Sequence, residues 1–236
     1  MDNANSGDGA GVAGASRPFI IATSILRCVV VAVGVQSVNA LLIRLNVDTT
    51  PGFLWSSVLA LGISYAVLVR SSRWFRPAPS VRPLSVPTAL SLCAILVVTL
   101  VAIAIAGMAL VYGQALRHGI QLPGDGFPGT AAVRAIISLT VVVCAGFIEE
   151  AAVRGAIQLR LQEVVGARRA EFIAGVLFVV MHADRLASTP AALLFIAVFA
   201  FACGRLAAVT QTARYSALTH SLVNAVLVVI ALALKE

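Results

Sequence analysis

The chain is dominated by apolar runs of about 17–27 residues, the length needed to cross roughly 30 Å of hydrocarbon at about 1.5 Å per residue. In lipid such a run must satisfy its own backbone hydrogen bonds, which an α-helix does and a lone strand does not. Composition agrees: 60% of the 236 residues are hydrophobic and only 11% are charged. A soluble domain carries about 45–50% apolar and about 25% charged residues, so too little polar surface remains here to cover a globule in water. The expected fold class is all-α, a polytopic transmembrane helical bundle forming one domain over 18–236. Residues 1–17, rich in Gly, Ala, Ser and Asn, cannot bury a core and read as a disordered tail. About seven spans are expected (six to eight possible), near 18–43, 52–70, 87–113, 131–153, 171–187, 190–209 and 217–234. Pro51-Gly52, Pro77 to Pro87, Pro123 to Pro128 and Pro190 mark the turns between them.

The net charge of +7 suggests nucleic acid only until its placement is considered. The arginines sit between apolar runs, in alternate loops: Arg70, Arg73, Arg76 and Arg82, then Arg160, Arg168 and Arg169, then Arg214. The intervening loops pair Arg44 with Asp48, Arg117 with Asp125, and Arg185 with Asp184. That bias is the positive-inside pattern, and it puts the amino terminus in the cytoplasm of a multi-pass cell-membrane protein. The expected environment is a lipid bilayer, with no nucleic-acid partner. Arg17 is the only basic flank of the first span and Arg27 interrupts it, so this segment reads as an uncleaved anchor. Gly9-Ala-Gly11-Val-Ala-Gly14 matches GxGxxG only formally, because no strand precedes it. Cys28, Cys93, Cys144 and Cys203 all lie within apolar runs, where free thiols are expected.

Polar residues inside spans carry the functional information. An Arg or Asp at the centre of a spanning helix costs about 2.5–3.5 kcal/mol, so such residues usually have a task. The fourth span ends Phe-Ile-Glu149-Glu150-Ala-Ala-Val-Arg154. Glu150 and Arg154 are four apart and share a face, while Glu149 points about 100° away, toward a different neighbour. The fifth span holds Phe178 and His182 and the seventh His220 and Asn224, each pair one turn apart on one face. Two of the three histidines thus fall within spans, while His118 sits in a loop. Taken singly, EExxxR reads as a helix-end ion pair with Arg154 snorkelling to the headgroups, and a buried histidine as a packing residue. Together, three helices can deliver these groups to one pocket, Glu149 and His220 near the inner ends of their spans and His182 nearer mid-membrane. Gly146, Ala151, Ala152, Gly155 and Gly175 would allow the close approach this needs.

EExxxR, FxxxH and HxxxN, in that order on successive membrane helices, resemble the CPBP family. That family groups CAAX prenyl endopeptidases of the Rce1 type with bacterial proteins linked to bacteriocin processing and self-immunity. The resemblance covers about 131–236, through Glu149, Glu150, Arg154, Phe178, His182, His220 and Asn224. It implies an intramembrane endopeptidase acting on a peptide or membrane-protein substrate near the cytoplasmic side of the membrane. Glu149 would be the general base on a water, His182 would orient that water, and His220 and Asn224 would donate to the oxyanion. Glu150 and Arg154 would give electrostatic support, and no cofactor would be required.

Other intramembrane protease signatures are absent: His182 is followed by Ala-Asp-Arg-Leu rather than completing HExxH, and no GxSG occurs. Asp125 lies in a Pro/Gly loop and Asp184 near a span end, so no pair of intramembrane aspartates offers itself. Two rival readings stay open, a zinc hydrolase with Glu149, His182 and His220 as ligands, and a non-catalytic immunity, scaffold or transport protein. Arg27, Arg134 and Arg205 have no assigned role at this point. Reporter fusions test the orientation: a tag at the amino terminus should be protected in sealed right-side-out cells, and accessibility from outside would reverse the topology.

Overall fold

The computed structural model describes residues 84–112, 129–182 and 190–234, together with Phe19, Ala22, Thr23 and Leu26. The tail at 1–17, and most of the spans expected at 18–43 and 52–70, lie outside the described residues. Within them every regular element is helical: α1 (Val86–Tyr112), α2 (Ala131–Glu150), a π-helical segment (Ala151–Gln158), α3 (Leu159–Val165), α4 (Ala167–Met181), α5 (Pro190–Thr210) and α6 (Arg214–Ala233). Four stretches are long and apolar enough to cross a membrane: Val86–Gly107, Ala131–Val165, Leu193–Thr210 and Arg214–Ala233. The protein is thus a multi-pass helical membrane protein, with four of the seven expected spans visible as such.

Local sequence sets the boundaries. Thr130, in extended conformation, caps α2 by accepting from the Val133 amide at 3.4 Å. Arg134 has a local task, donating from one guanidinium nitrogen to the Gly129 carbonyl at 3.0 Å. Gly166, with φ of 85°, breaks the chain between α3 and α4, where a Cβ would be strained. Pro190 opens α5, where its missing N–H costs nothing. Gln211 adopts φ of 56° in the tight connection from α5 to α6. Its side chain donates to the Ala208 carbonyl and accepts from Gln162 Nε2 at 3.1 Å, which holds this unusual backbone in place.

Two expected boundaries are corrected. The span placed at 131–153 does not end at its charged residues; the helical stretch runs on to Val165, 35 residues in all. At about 1.5 Å per residue it is longer than the hydrocarbon is thick, so it tilts or projects beyond it. Arg154 accordingly does not snorkel: it is fully buried. The span placed at 171–187 appears as α4, which begins at Ala167, just after the Gly166 break, and ends at Met181. His182 is therefore the C-terminal cap of α4 rather than a mid-helix residue.

Packing pairs α2 with α6 and α4 with α5, while α1 lies against both α5 and α6. The shared core gathers Leu100, Ile148, Ala151, Val153, Phe178, Phe199, Cys203 and Val223. Close approach depends on small residues, as is usual where lipid supplies no hydrophobic drive between helices. A Cβ on Gly146 would come within 2.9 Å of Ser221 Oγ and 3.2 Å of His220 Cγ, and one on Gly175 within 2.8 Å of the Phe201 ring. Gly146→Val should therefore push α6 off α2 and cost about 1–3 kcal/mol of stability. Gly107→Val, with nothing within 4 Å, should be near neutral. Melting temperatures in detergent compare the two; equal shifts would remove the close-contact argument.

Candidate active site

The π-helical segment starts directly after Glu150, and all eight of its residues are buried. Its i→i+5 bonding shows in the Leu159 amide, which donates to the Arg154 carbonyl. Such segments are rare and concentrate at functional sites. Here it places Glu150, Arg154 and Gln158, spaced four apart, in one connected chain of side chains. Arg154 Nε donates to Glu150 Oε2 at 3.2 Å, and a second nitrogen reaches Gln158 Oε1 at 3.5 Å. The third donates to the Ala200 carbonyl at 2.8 Å, and Gln158 Nε2 donates to the Gly204 carbonyl at 2.6 Å, one turn further along α5. The Arg154 guanidinium also lies 5.2 Å from the Phe178 ring centroid, within cation–π range. All three side chains are fully buried, so every charge is matched by a charge, a carbonyl dipole or an aromatic face.

The second oxygen of Glu150 faces His220, with Nδ1 3.3 Å from Oε1. His220 packs against two aromatic rings that also touch each other: Phe199 at 4.5 Å and Phe178 at 5.9 Å, both in edge-to-face arrangement. On the same face of α6, one turn on, Asn224 Nδ2 donates to the Val142 carbonyl at 3.0 Å. Ser221 Oγ donates to the next carbonyl, Val143, at 2.9 Å. These bonds fix α6 to α2 beside the carboxylates.

Glu149 takes the other direction, as its offset around the helix requires. Its Oε2 lies 3.6 Å from His182 Nε2. His182 stacks on Phe178 with ring centroids 4.6 Å apart, and its Nδ1 lies 2.8 Å from the Phe178 carbonyl. A carbonyl only accepts, so Nδ1 carries the hydrogen, and Nε2 is the nitrogen turned toward Glu149. Glu149 and His182 are 28% and 18% exposed at their side chains, whereas Glu150 and Arg154 are sealed. Glu149 Oε2 itself is buried and receives no hydrogen bond from the protein.

Six of the seven sequence-predicted residues are thus linked in one cluster formed by α2, the π segment, α4 and α6, while Asn224 lies one turn beyond His220 on α6, on the Val142 carbonyl. Phe178 is the common contact, touching Arg154, His182 and His220. Sequence reasoning missed Gln158 and Phe199. Gln158 was findable as the next residue in the four-residue spacing that joins Glu150 to Arg154; Phe199 stands on an otherwise plain apolar helix and carries no such signal. Arg205 also finds a partner, Glu171 at 3.7 Å across α4 and α5, with Arg205 largely exposed. Arg27 lies outside the described residues. Among the described residues no three His, Cys, Asp or Glu side chains are grouped to hold a metal ion. His220 Nδ1 is turned to Glu150, while Glu149 is turned to His182.

Comparison with known proteins supports the resemblance read from the motifs. Residues 131–226 match the family model of type II CAAX prenyl endopeptidases, Rce1-like. The matched segment contains every residue of the centre described above, and at family level it supports a CAAX-type intramembrane protease. No curated protein and no solved structure matches the chain significantly.

The buried ion pair makes its own prediction. Arg154→Met leaves Glu150 charged and unpaired, which should cost about 3–5 kcal/mol. Adding Glu150→Gln should recover most of that loss, because the uncompensated charge is gone. Detergent unfolding of the single and double variants measures this, and additive losses would contradict it.

Proposed function

We propose that this membrane protein, Rce1-like over residues 131–226, is an intramembrane endopeptidase that hydrolyses a peptide bond with water activated by Glu149. The observation that carries the reading is the Glu149–His182 pair. Glu149 Oε2 and His182 Nε2 face each other at 3.6 Å, and the carboxylate oxygen has no protein donor; in the proposed resting state the carboxylate is ionised and the ring neutral, so both atoms are acceptors. A water satisfies both by donating one hydrogen to each, and its own lone pairs then point away from the pair, toward substrate. Glu149 takes a proton as that oxygen attacks the scissile carbonyl carbon. The same proton passes to the amide nitrogen as the C–N bond breaks, giving a carboxylic acid and an amine.

The tetrahedral intermediate carries its negative charge on the former carbonyl oxygen, which preorganised donors stabilise. Asn224 has two N–H groups and spends one on Val142, so the other is available for the oxyanion. His220 is the second donor, and Glu150 with Arg154 supports it electrostatically. The positive-inside bias of the arginine-rich loops supports a centre toward the cytoplasmic side, with the amino terminus on that side too. The substrate is a peptide or membrane protein reaching the site from the bilayer, and no resident metal is required.

Glu149→Gln keeps shape and removes the basic carboxylate, so cleavage of a peptide panel by the purified protein should be abolished while the fold is kept. Wild-type activity should survive exhaustive chelation. One equivalent of zinc per chain, with activity lost to chelator and restored by zinc, would instead make His182 and His220 metal ligands. A folded, correctly inserted protein that cleaves nothing across a broad panel would favour a binding or transport role.

A further inference from the structure

The same donor–acceptor logic that fixes His182 applies with more force to His220. Arg154 donates to Glu150 Oε2 at 3.2 Å in a fully buried pair, and a guanidinium stays charged in proteins. Its partner carboxylate is therefore ionised and can only accept. His220 Nδ1, 3.3 Å from Glu150 Oε1, must then carry the hydrogen, and Nε2 is the nitrogen left for the site. In a neutral ring Nε2 accepts; it donates to an oxyanion only when both nitrogens are protonated, and the Glu150 carboxylate then faces the charge.

We propose that Glu150 is a positioning residue that acts on the reaction through His220, fixing the Nδ1–H tautomer and balancing the charge the ring carries when Nε2 donates to the oxyanion; this rests on the protease reading above. Three further features of the geometry serve the same end. Arg154 is itself held by the Ala200 carbonyl and Gln158, so Glu150 cannot swing away to a different partner. Phe199 and Phe178 pack edge-to-face against the imidazole and against each other, which restricts its rotation. The Gly146 backbone lies so close to His220 that a Cβ would reach its ring. A carboxylate that orders a histidine tautomer in this way is the orienting member of a catalytic triad, here transferred to an oxyanion donor.

Two measurements test this, and they fail separately from the protease reading. Nitrogen NMR of ¹⁵N-histidine-labelled protein reads the protonation of each ring nitrogen without any substrate. The three histidines are assigned with His118→Gln and His182→Asn variants. We expect the His220 Nδ1 to be protonated in wild type, and its Nδ1–H population to fall in Glu150→Gln, where the carboxylate that balances the ring's charge is gone. A wild-type His220 with a bare Nδ1 would overturn the proposal even if peptide cleavage is robust, and needs no variant to fold. The second measurement is a double-mutant cycle on cleavage. Glu150→Gln should lower kcat roughly 10²-fold with KM little changed, in the range of one lost oxyanion donor. In a His220→Ala background it should cost almost nothing more, since its effect passes through that ring. Glu150→Asp, which keeps the charge, should recover part of the rate. Equal losses in both backgrounds would overturn the proposal and make Glu150 a packing residue. A protonated Nδ1 in a protein that cleaves no peptide would uphold the tautomer and overturn the catalytic role.

Discussion

A guanidinium with no exposure, placed among apolar helices, is tolerable only if every one of its donors is used. The Arg154 side chain meets that condition through Glu150, Gln158, the Ala200 carbonyl and the face of Phe178. Each of those partners comes from a different position in the bundle, so the charge can be buried only when α2, the π segment, α4 and α5 are all in place. A buried ion pair of this kind contributes little net stability compared with well-packed hydrophobic residues. What it contributes is selectivity among packings: alternative arrangements of the same apolar helices would strand Glu150 or Arg154 in lipid. The helices themselves are nearly featureless on their apolar faces, and the polar chain supplies the register that those faces lack.

Once that chain is in place, the two adjacent carboxylates are forced into different situations. Glu150 is saturated, one oxygen taken by Arg154 and the other by His220. Glu149, one residue earlier, faces a histidine whose Nδ1–H is committed to the Phe178 carbonyl, and its Oε2 receives no hydrogen bond. One carboxylate is thereby fixed as a counter-charge and the other left with an unfilled acceptor beside a partly open edge. The difference does not come from residue type, since both are glutamates. It comes from the angular step of the helix and from what each neighbouring helix had left to offer.

How much of this could be read from the sequence depends on whether the signal was local. The apolar runs gave α1, α5 and α6 to within a few residues, because run length and proline placement are local properties. The pairing of Glu150 with Arg154 and the divergence of Glu149 followed from helical spacing alone. The end of the fourth span was misread because charge was taken as a sign of the interface; Arg154 and Gln158 are buried by α5 carbonyls, and no local pattern announces a partner 46 residues away. His182 was placed inside a helix because the expected span was drawn on to 187, while the helix stops at Met181. Phe199 was invisible, since its role lies wholly in the ring it touches.

The bonds that build the site are also those that hold the helices together. Lipid tails are as apolar as leucine, so helix association rests on close packing and interhelical hydrogen bonds. Between α2 and α6 the side-chain bonds are Ser221 to Val143, Asn224 to Val142 and His220 to Glu150; between the π segment and α5 they are Arg154 to Ala200 and Gln158 to Gly204. All of them fall within about two turns of the paired carboxylates. The packing of the bundle and the geometry of the centre are therefore one set of interactions, with few spare contacts to keep the helices in register if a site residue is lost. A substitution at Asn224 removes an interhelical bond along with the proposed oxyanion donor, and its effect on rate has meaning only beside its effect on unfolding. Glu149 is the exception. Its Oε2 makes no hydrogen bond to another helix, only the 3.6 Å approach to His182, so its loss disturbs the interhelical framework less than the loss of Glu150, Arg154 or Asn224.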